Sequence, residues 1–174
     1  MKGRVSVKKL ICIVFVVLSL CGCSEKRSSV KPVLKGISFN AEITCYNECY
    51  TAACTVSEDG AISAEVTSPD ELKGLKFAVK NGDITTEFDG ISATDKLKDL
   101  PVCGAYTAMI DVLCDVMNSE DPVINDGNEL FINAGTENGK YRLSLAPTGL
   151  PLSLEIPDQG FKMEFFDAQL NTAH

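Results

Sequence analysis

An α+β fold is predicted, in which a one-faced antiparallel β meander of about nine strands packs around a single helix. Three observations predict it. Apolar and polar residues alternate with period two in successive stretches between Ile37 and Phe165. Turn signals, above all Asn81-Gly82 and Asn138-Gly139, separate those stretches at hairpin spacing. Between Pro101 and Asn118 the period changes: Gly104, Thr107, Asp111, Asp115 and Asn118 form one narrow polar stripe on an otherwise apolar segment.

The chain opens with a basic head (Lys2, Arg4, Lys8, Lys9), an apolar run from Leu10 to Leu20, and then Cys21-Gly22-Cys23. The run is about half the roughly 20 residues that span a bilayer as a helix, so it is expected to be an export signal. Leu20-Cys21-Gly22-Cys23 resembles the bacterial lipobox, with Cys21 where Ala or Ser is more usual. That resemblance implies cleavage after Gly22 and acylation, palmitate included, of Cys23. The expected organisation is a signal peptide over 1–22, Cys23 and a flexible tether over 23–35, a domain over 36–168 and a tail over 169–174. Pro32 and the polar composition of SEKRSSVKPVLK support the tether.

The basic head holds four of the 16 Lys and Arg and none of the 24 Asp and Glu. The mature chain thus sets 12 positive residues against 24 negative ones, a net charge of -12. Such a surface repels nucleic acid and anionic headgroups, so membrane contact is expected through the lipid on Cys23, on the extracytoplasmic side of the cell membrane.

Order begins at Ile37, Phe39, Ala41, Ile43 and Cys45, which alternate with polar neighbours. A turn at Asn47-Glu48 would pair Cys45 with Tyr50 and bring Tyr50, Ala52, Cys54 and Val56 to the same dry face. Glu58-Asp59-Gly60 pairs Val56 with Ile62 and adds Ala64 and Val66. Asn81-Gly82 then pairs Val79 with Ile84, Phe77 with Thr86 and Leu75 with Phe88. The helix follows, with Asp99 or a neighbour as its cap and Pro101 in its first turn. In the last third Asn138-Gly139 pairs Thr136 with Tyr141, Ala134 with Leu143 and Ile132 with Leu145. Leu150, Leu152, Leu154 and Ile156 face inward, the last three opposite Phe165, Met163 and Phe161.

Cys45, Cys49, Cys54, Cys103 and Cys114 remain after the signal and the lipidated residue are set aside. Cys45 and Cys54 are about 13 Å apart along their strands, and Cys103 and Cys114 about 16 Å apart along the helix, so neither pair can bond internally. A bond from the helix to Cys45 or Cys54, or five free thiols, both fit. Their spacing lacks a zinc knuckle and the only histidine is His174, so no metal or other cofactor is expected. Asn125 to Glu129 lacks the alternating ligands of a calcium loop and is expected to be a plain turn. The absence of a nucleophile-and-base pair or a phosphate loop argues against an enzyme.

The dry face mixes large residues (Phe39, Tyr50, Phe77, Phe88, Leu143, Phe161, Phe165) with small ones (Ala41, Ala52, Ala64). On a curved sheet these ten could face a hydrophobic ligand, or the helix could fill the space. The lipobox, the meander, the step Pro69-x-x-Leu72-x-Gly74-Leu75, the wrapped helix and the closing Gly149-Leu150-Pro151-Leu152 hairpin ending in Phe165-Phe166-Asp167 resemble the LolA and LolB superfamily of lipoprotein carriers and localisation factors, which includes RseB-type sensors. The resemblance implies a half-open barrel with a helix against its concave apolar face, holding lipid or the acyl part of a partner. An envelope interaction or sensor module with a filled core is the alternative. Cys23→Ser is expected to release the protein from membranes, read by fractionation, and retention of the variant in the membrane fraction would refute lipidation at Cys23.

Overall fold

The computed structural model describes residues 26–97, 104–137 and 139–171. The lipobox and Cys23, together with Asp99, Pro101, Cys103, Asn138 and His174, lie outside the described residues. The first half of the sheet consists of β1 (Lys26–Arg27), β2 (Ile37–Cys45), β3 (Glu48–Val56), β4 (Ile62–Ser68), β5 (Lys76–Lys80), β6 (Asp83–Phe88) and β7 (Ile91–Lys96). After helix α1 (Ala105–Asn118) come β8 (Ile124–Asn125), β9 (Leu130–Thr136), β10 (Gly139–Leu145), β11 (Pro151–Ile156) and β12 (Phe161–Leu170). All the pairings are antiparallel, and the strands form one open sheet in the order β1-β8-β9-β10-β11-β12-β2-β3-β4-β5-β6-β7.

Among the described residues twelve strands replace the expected nine or so, because β1, β7 and β8 carry no apolar alternation. In β7 all six residues are exposed, as befits a short edge strand with charged residues at its end. Its hairpin turns at Asp89-Gly90, with φ of 51° and 76°, and sets Phe88 opposite Ile91.

Where a strand is half-buried, its burial follows the sequence pattern. In β2 the odd-numbered residues Ile37 to Cys45 are buried, and Ala52, Cys54 and Val56 of β3 join them with Ile62, Ala64 and Val66 of β4. The pairings of Val56 with Ile62, Val79 with Ile84 and Phe77 with Thr86 are as expected. Two other hairpins are shifted. Cys45 pairs with Glu48 rather than Tyr50, and Tyr141 pairs with Ala134 rather than Thr136. Both shifts are by two residues, which moves the turn but leaves every side chain on its expected face. The first turn therefore falls at Tyr46 and Asn47, with φ of 48° and 71°, a cost for Tyr46 that the nine-residue pairing of β2 with β3 outweighs.

Two expectations fail at bulges. Leu152 is 48% exposed rather than inward, because the register shifts between Ser144 and Leu145 so that Pro151 pairs with Leu145 and takes the buried place. The tail begins later than residue 169, because β12 resumes after a bulge following Phe166 and pairs Gln169 with Ser38 and Leu170 with Ile37.

Helix α1 begins at Ala105, with the Gly104 amide donating to Thr107 Oγ1 at 3.2 Å. Tyr106, Ala108, Met109, Ile110, Val112, Leu113 and Val116 are buried, and the expected polar stripe is the more exposed side. At one end the Tyr106 ring stacks on Phe77 of β5 with centroids 4.8 Å apart, and at the other the Tyr141 hydroxyl of β10 donates to Asp115 at 2.7 Å. The nine-residue step from Tyr106 to Asp115 spans about 14 Å of helix. Six strand spacings from β5 to β10 would span about 29 Å in a flat sheet. The sheet therefore curls around the helix, and the long side chains close the remaining distance. Leu113, fully buried at the middle of this contact, is the sensitive position. Leu113→Ala is expected to destabilise the fold by about 2–5 kcal/mol in urea unfolding, and a loss within about 0.5 kcal/mol, the usual range of exposed sites, would show that the helix is not packed as described.

Candidate functional site

Of the ten residues expected to face a ligand, nine belong to the buried cluster or pack against it, and half-buried Phe88 lies outside it. Phe39, Ala41, Ala52, Ala64, Leu143, Phe161 and Phe165 are buried, while Tyr50, Phe77 and Phe88 are half-buried. The Phe39 and Phe165 rings meet at 4.9 Å across β2 and β12. Met109, Ile110, Val112 and Leu113 of α1, each 0% exposed, belong to the same buried cluster. Close packing at that depth leaves this part of the concavity filled.

At the N-terminal end of α1 the Tyr106 ring meets Tyr50 edge-on at 5.9 Å while stacking on Phe77. The Tyr106 hydroxyl is buried and has no hydrogen-bond partner among the described residues. Burial, followed by the nearby Cys54 and Tyr50, pushes that hydroxyl above its ordinary range, so it stays protonated. The Tyr50 hydroxyl instead donates to Glu48.

Open space lies at the other end of the helix. A cleft of about 640 Å³ runs between Lys31–Lys35 on one side and Val116, Met117 and Ser119 to Asp121 on the other, with Ile132 of β9 between them. None of the ten expected residues is among its walls. One wall is the segment that the sequence assigned to a flexible tether. Lys26 and Arg27 pair with Asn125 and Ile124, the Ser28 amide donates to Val123 O at 2.7 Å, and the Val33 amide donates to Gly149 O at 2.9 Å. Leu34 is 3% exposed. The segment lies so close to the β10–β11 turn that a Cβ added at Gly149, where φ is +88°, would collide with the Lys31 carbonyl oxygen. The sequence carried one sign of this docking, the adjacent Val33 and Leu34 in an otherwise polar stretch.

A second depression, of about 410 Å³, lies on β3 to β6, where Ala53, Ser63, Glu65, Lys76 and Ala78 are exposed. Ala64 and Phe77 also contribute to its lining. On the outer side of the other half, Arg142 lies 3.6 Å over the Phe131 ring and donates to Glu129 at 2.8 Å. The hydroxyl of buried Ser144, and then Arg142, hold the Glu129 carboxyl below its usual range. In the turn before β9 the Asp126 carboxylate accepts from the amides of Asn128 and Glu129 at 2.9 and 3.0 Å, as an aspartate-capped turn does.

Cys45, Cys49, Cys54 and Cys114 are free thiols. With Cys45 opposite Glu48, Cys54 lies six positions further along, about 20 Å away and beyond disulfide reach. Burial, then the charge of Glu48, pushes Cys45 up, and burial, then Asp111, does the same to Cys114. Burial alone pushes Cys54 from its ordinary 9.0 to about 12, whereas Cys49 is exposed. Between those two values the folded state keeps a proton that the unfolded thiol has lost, so stability from Cys54 is intact below pH 9 and falls as the pH rises towards 12. Alkylation of the native chain is expected to label Cys49 and to reach Cys54 only on unfolding, with the denaturation midpoint falling above pH 9. Equal labelling rates in the native state would contradict the buried placement.

No protein-family model matches the chain, and no curated protein matches it. Among the described residues no helix is long and apolar enough to cross a membrane. Among solved structures, the chain is similar to a LolA superfamily protein from Nitrosomonas europaea, at 10% identity over 83% of this chain and 90% of that one, with a TM-score of 0.46. It is also similar to an uncharacterized conserved protein from Thermus thermophilus, at 9% identity over 80% of this chain and 82% of that one, with a TM-score of 0.49.

Proposed function

We propose that this protein is an extracytoplasmic lipoprotein, anchored to the cell membrane through acylated Cys23, that holds a hydrophobic ligand such as a lipid or the acyl part of a partner. The observation that carries the reading is the cleft of about 640 Å³ beside α1, which has Val33, Leu34, Val116, Met117 and Ile132 in its walls. Its size lies within the range of about 300–1,000 Å³ usual for ligand pockets. It is roughly four times the apolar cavity of about 150 Å³ that takes up a benzene. The site is displaced from the sheet centre, where α1 fills the concavity, to the place where the helix ends. The acidic surface leaves the acyl chains on Cys23 as the attachment, and no part of the reading requires a cofactor or catalysis.

A second reading, an interaction or sensor module of the cell envelope, draws on the filled centre and on apolar side chains left in solvent. Ile91 at the sheet edge, Leu152 at the bulge and Phe166 and Leu170 on β12 are 76%, 48%, 43% and 65% exposed. Native mass spectrometry of protein extracted from membranes separates the two. A co-purifying lipid, or uptake of an apolar dye at one equivalent, is expected for the ligand-holding protein, and the lack of both would leave the interaction module as the better reading.

A further inference from the structure

The rim of the cleft is charged, and with both signs. Lys31 and Lys35 stand on the N-terminal segment, Glu120 and Asp121 stand just beyond the C-terminal end of α1, and all four are exposed. None of the four forms an ion pair with another described residue, although exposed pairs elsewhere do, such as Lys80 with Asp59 at 3.2 Å and Lys162 with Glu164 at 3.0 Å. The apolar walls therefore lie between a cationic lip and an anionic lip that do not neutralise each other. A simple fatty acid would satisfy the lysines and meet repulsion from the carboxylates, and an anionic phospholipid headgroup would do the same. A headgroup with a phosphate and an ammonium a few bonds apart answers both lips.

We infer that the cleft takes an amphiphile with a zwitterionic phosphate-and-ammonium head. This rests on the hydrophobic-ligand reading and adds the place and the headgroup. The tail lies on Val33, Leu34, Val116, Met117 and Ile132, the phosphate is held by Lys31 and Lys35, and the ammonium is held by Glu120 and Asp121. Binding stabilises the contact between the N-terminal segment and the helix end, because the ligand touches both.

The test uses the full chain in nonionic detergent, titrated by native mass spectrometry with lysophosphatidylethanolamine and with lysophosphatidylglycerol of the same tail. One equivalent of the zwitterionic lipid is expected to bind about tenfold more tightly than the anionic one, the discrimination of about one charge-assisted contact. Met117→Trp, which fills the cleft from a half-buried position, is expected to abolish uptake. The Glu120→Gln, Asp121→Asn double variant alters only exposed side chains at the ammonium side and is expected to remove the preference while keeping the fold by circular dichroism. Wild-type uptake that both variants retain unchanged overturns the cleft assignment and leaves the hydrophobic-ligand reading standing. Failure of the wild type to bind either lipid, with no co-purified lipid, removes both. Uptake only by a Cys23→Ser chain would assign the cleft to the protein's own acyl group and overturn the proposed ligand.

Discussion

The pairing of β2 with β12 holds the architecture together. These strands lie more than a hundred residues apart in the chain, yet they pair from Phe161 opposite Cys45 to Leu170 opposite Ile37. Through that seam the meander that runs β2 to β7 and the one that runs β8 to β12 become a single sheet. Joined, they present Ile43, Met163, Leu154 and Leu143 as one buried surface, all at 0% exposure, and α1 closes on it. Such non-local pairing is entropically expensive to form and is repaid only when the apolar faces meet.

The helix then determines where a ligand can go. Its apolar circumference is wide, so it is received by the sheet rather than laid across it, and the middle of the concavity is occupied by Met109, Ile110 and Leu113. Its length leaves an opening. The last turn stops at Asn118, and the chain runs through Ser119 to Val123 before β8, so the space under that end is walled by the N-terminal segment instead. Two of the contacts that fix the helix involve tyrosines, one at each end, and they differ. Tyr141 finds a carboxylate, Asp115, on the helix's polar stripe, whereas Tyr106 inserts among aromatic rings and keeps its proton by burial.

The strand faces were legible because a face is a property of parity. A hairpin turn misplaced by one residue shifts the register by two, so the pairing of Cys45 with Glu48 instead of Tyr50 left Ala52, Cys54 and Val56 where the alternation put them. Parity fails only where a residue is inserted, and that is what happens at Leu152 and beyond Phe166, where bulges turn the strand over. Edge strands were illegible for a different reason. β7 buries none of its residues, β1 at the other edge and β8 beside it are two residues long, and strands held by backbone hydrogen bonds alone leave no mark on the hydrophobic pattern.

By itself the sequence determined the class of the fold, the membership of the apolar face, the helix and its polar stripe, because periodicity in one dimension maps directly onto burial when one side of an element faces a core. It also carried the charge balance and the cysteine spacing. Only the tertiary structure decided how the two meanders join, which positions the bulges reverse, and that residues 26–35 dock instead of hanging free. It alone placed the cleft, since the parts of its wall and rim, from Lys31 to Ile132, are brought together by the curvature of the sheet around α1 and not by any local pattern. Curvature is a collective outcome of packing large and small side chains against a helix of particular length, and no window of sequence contains it.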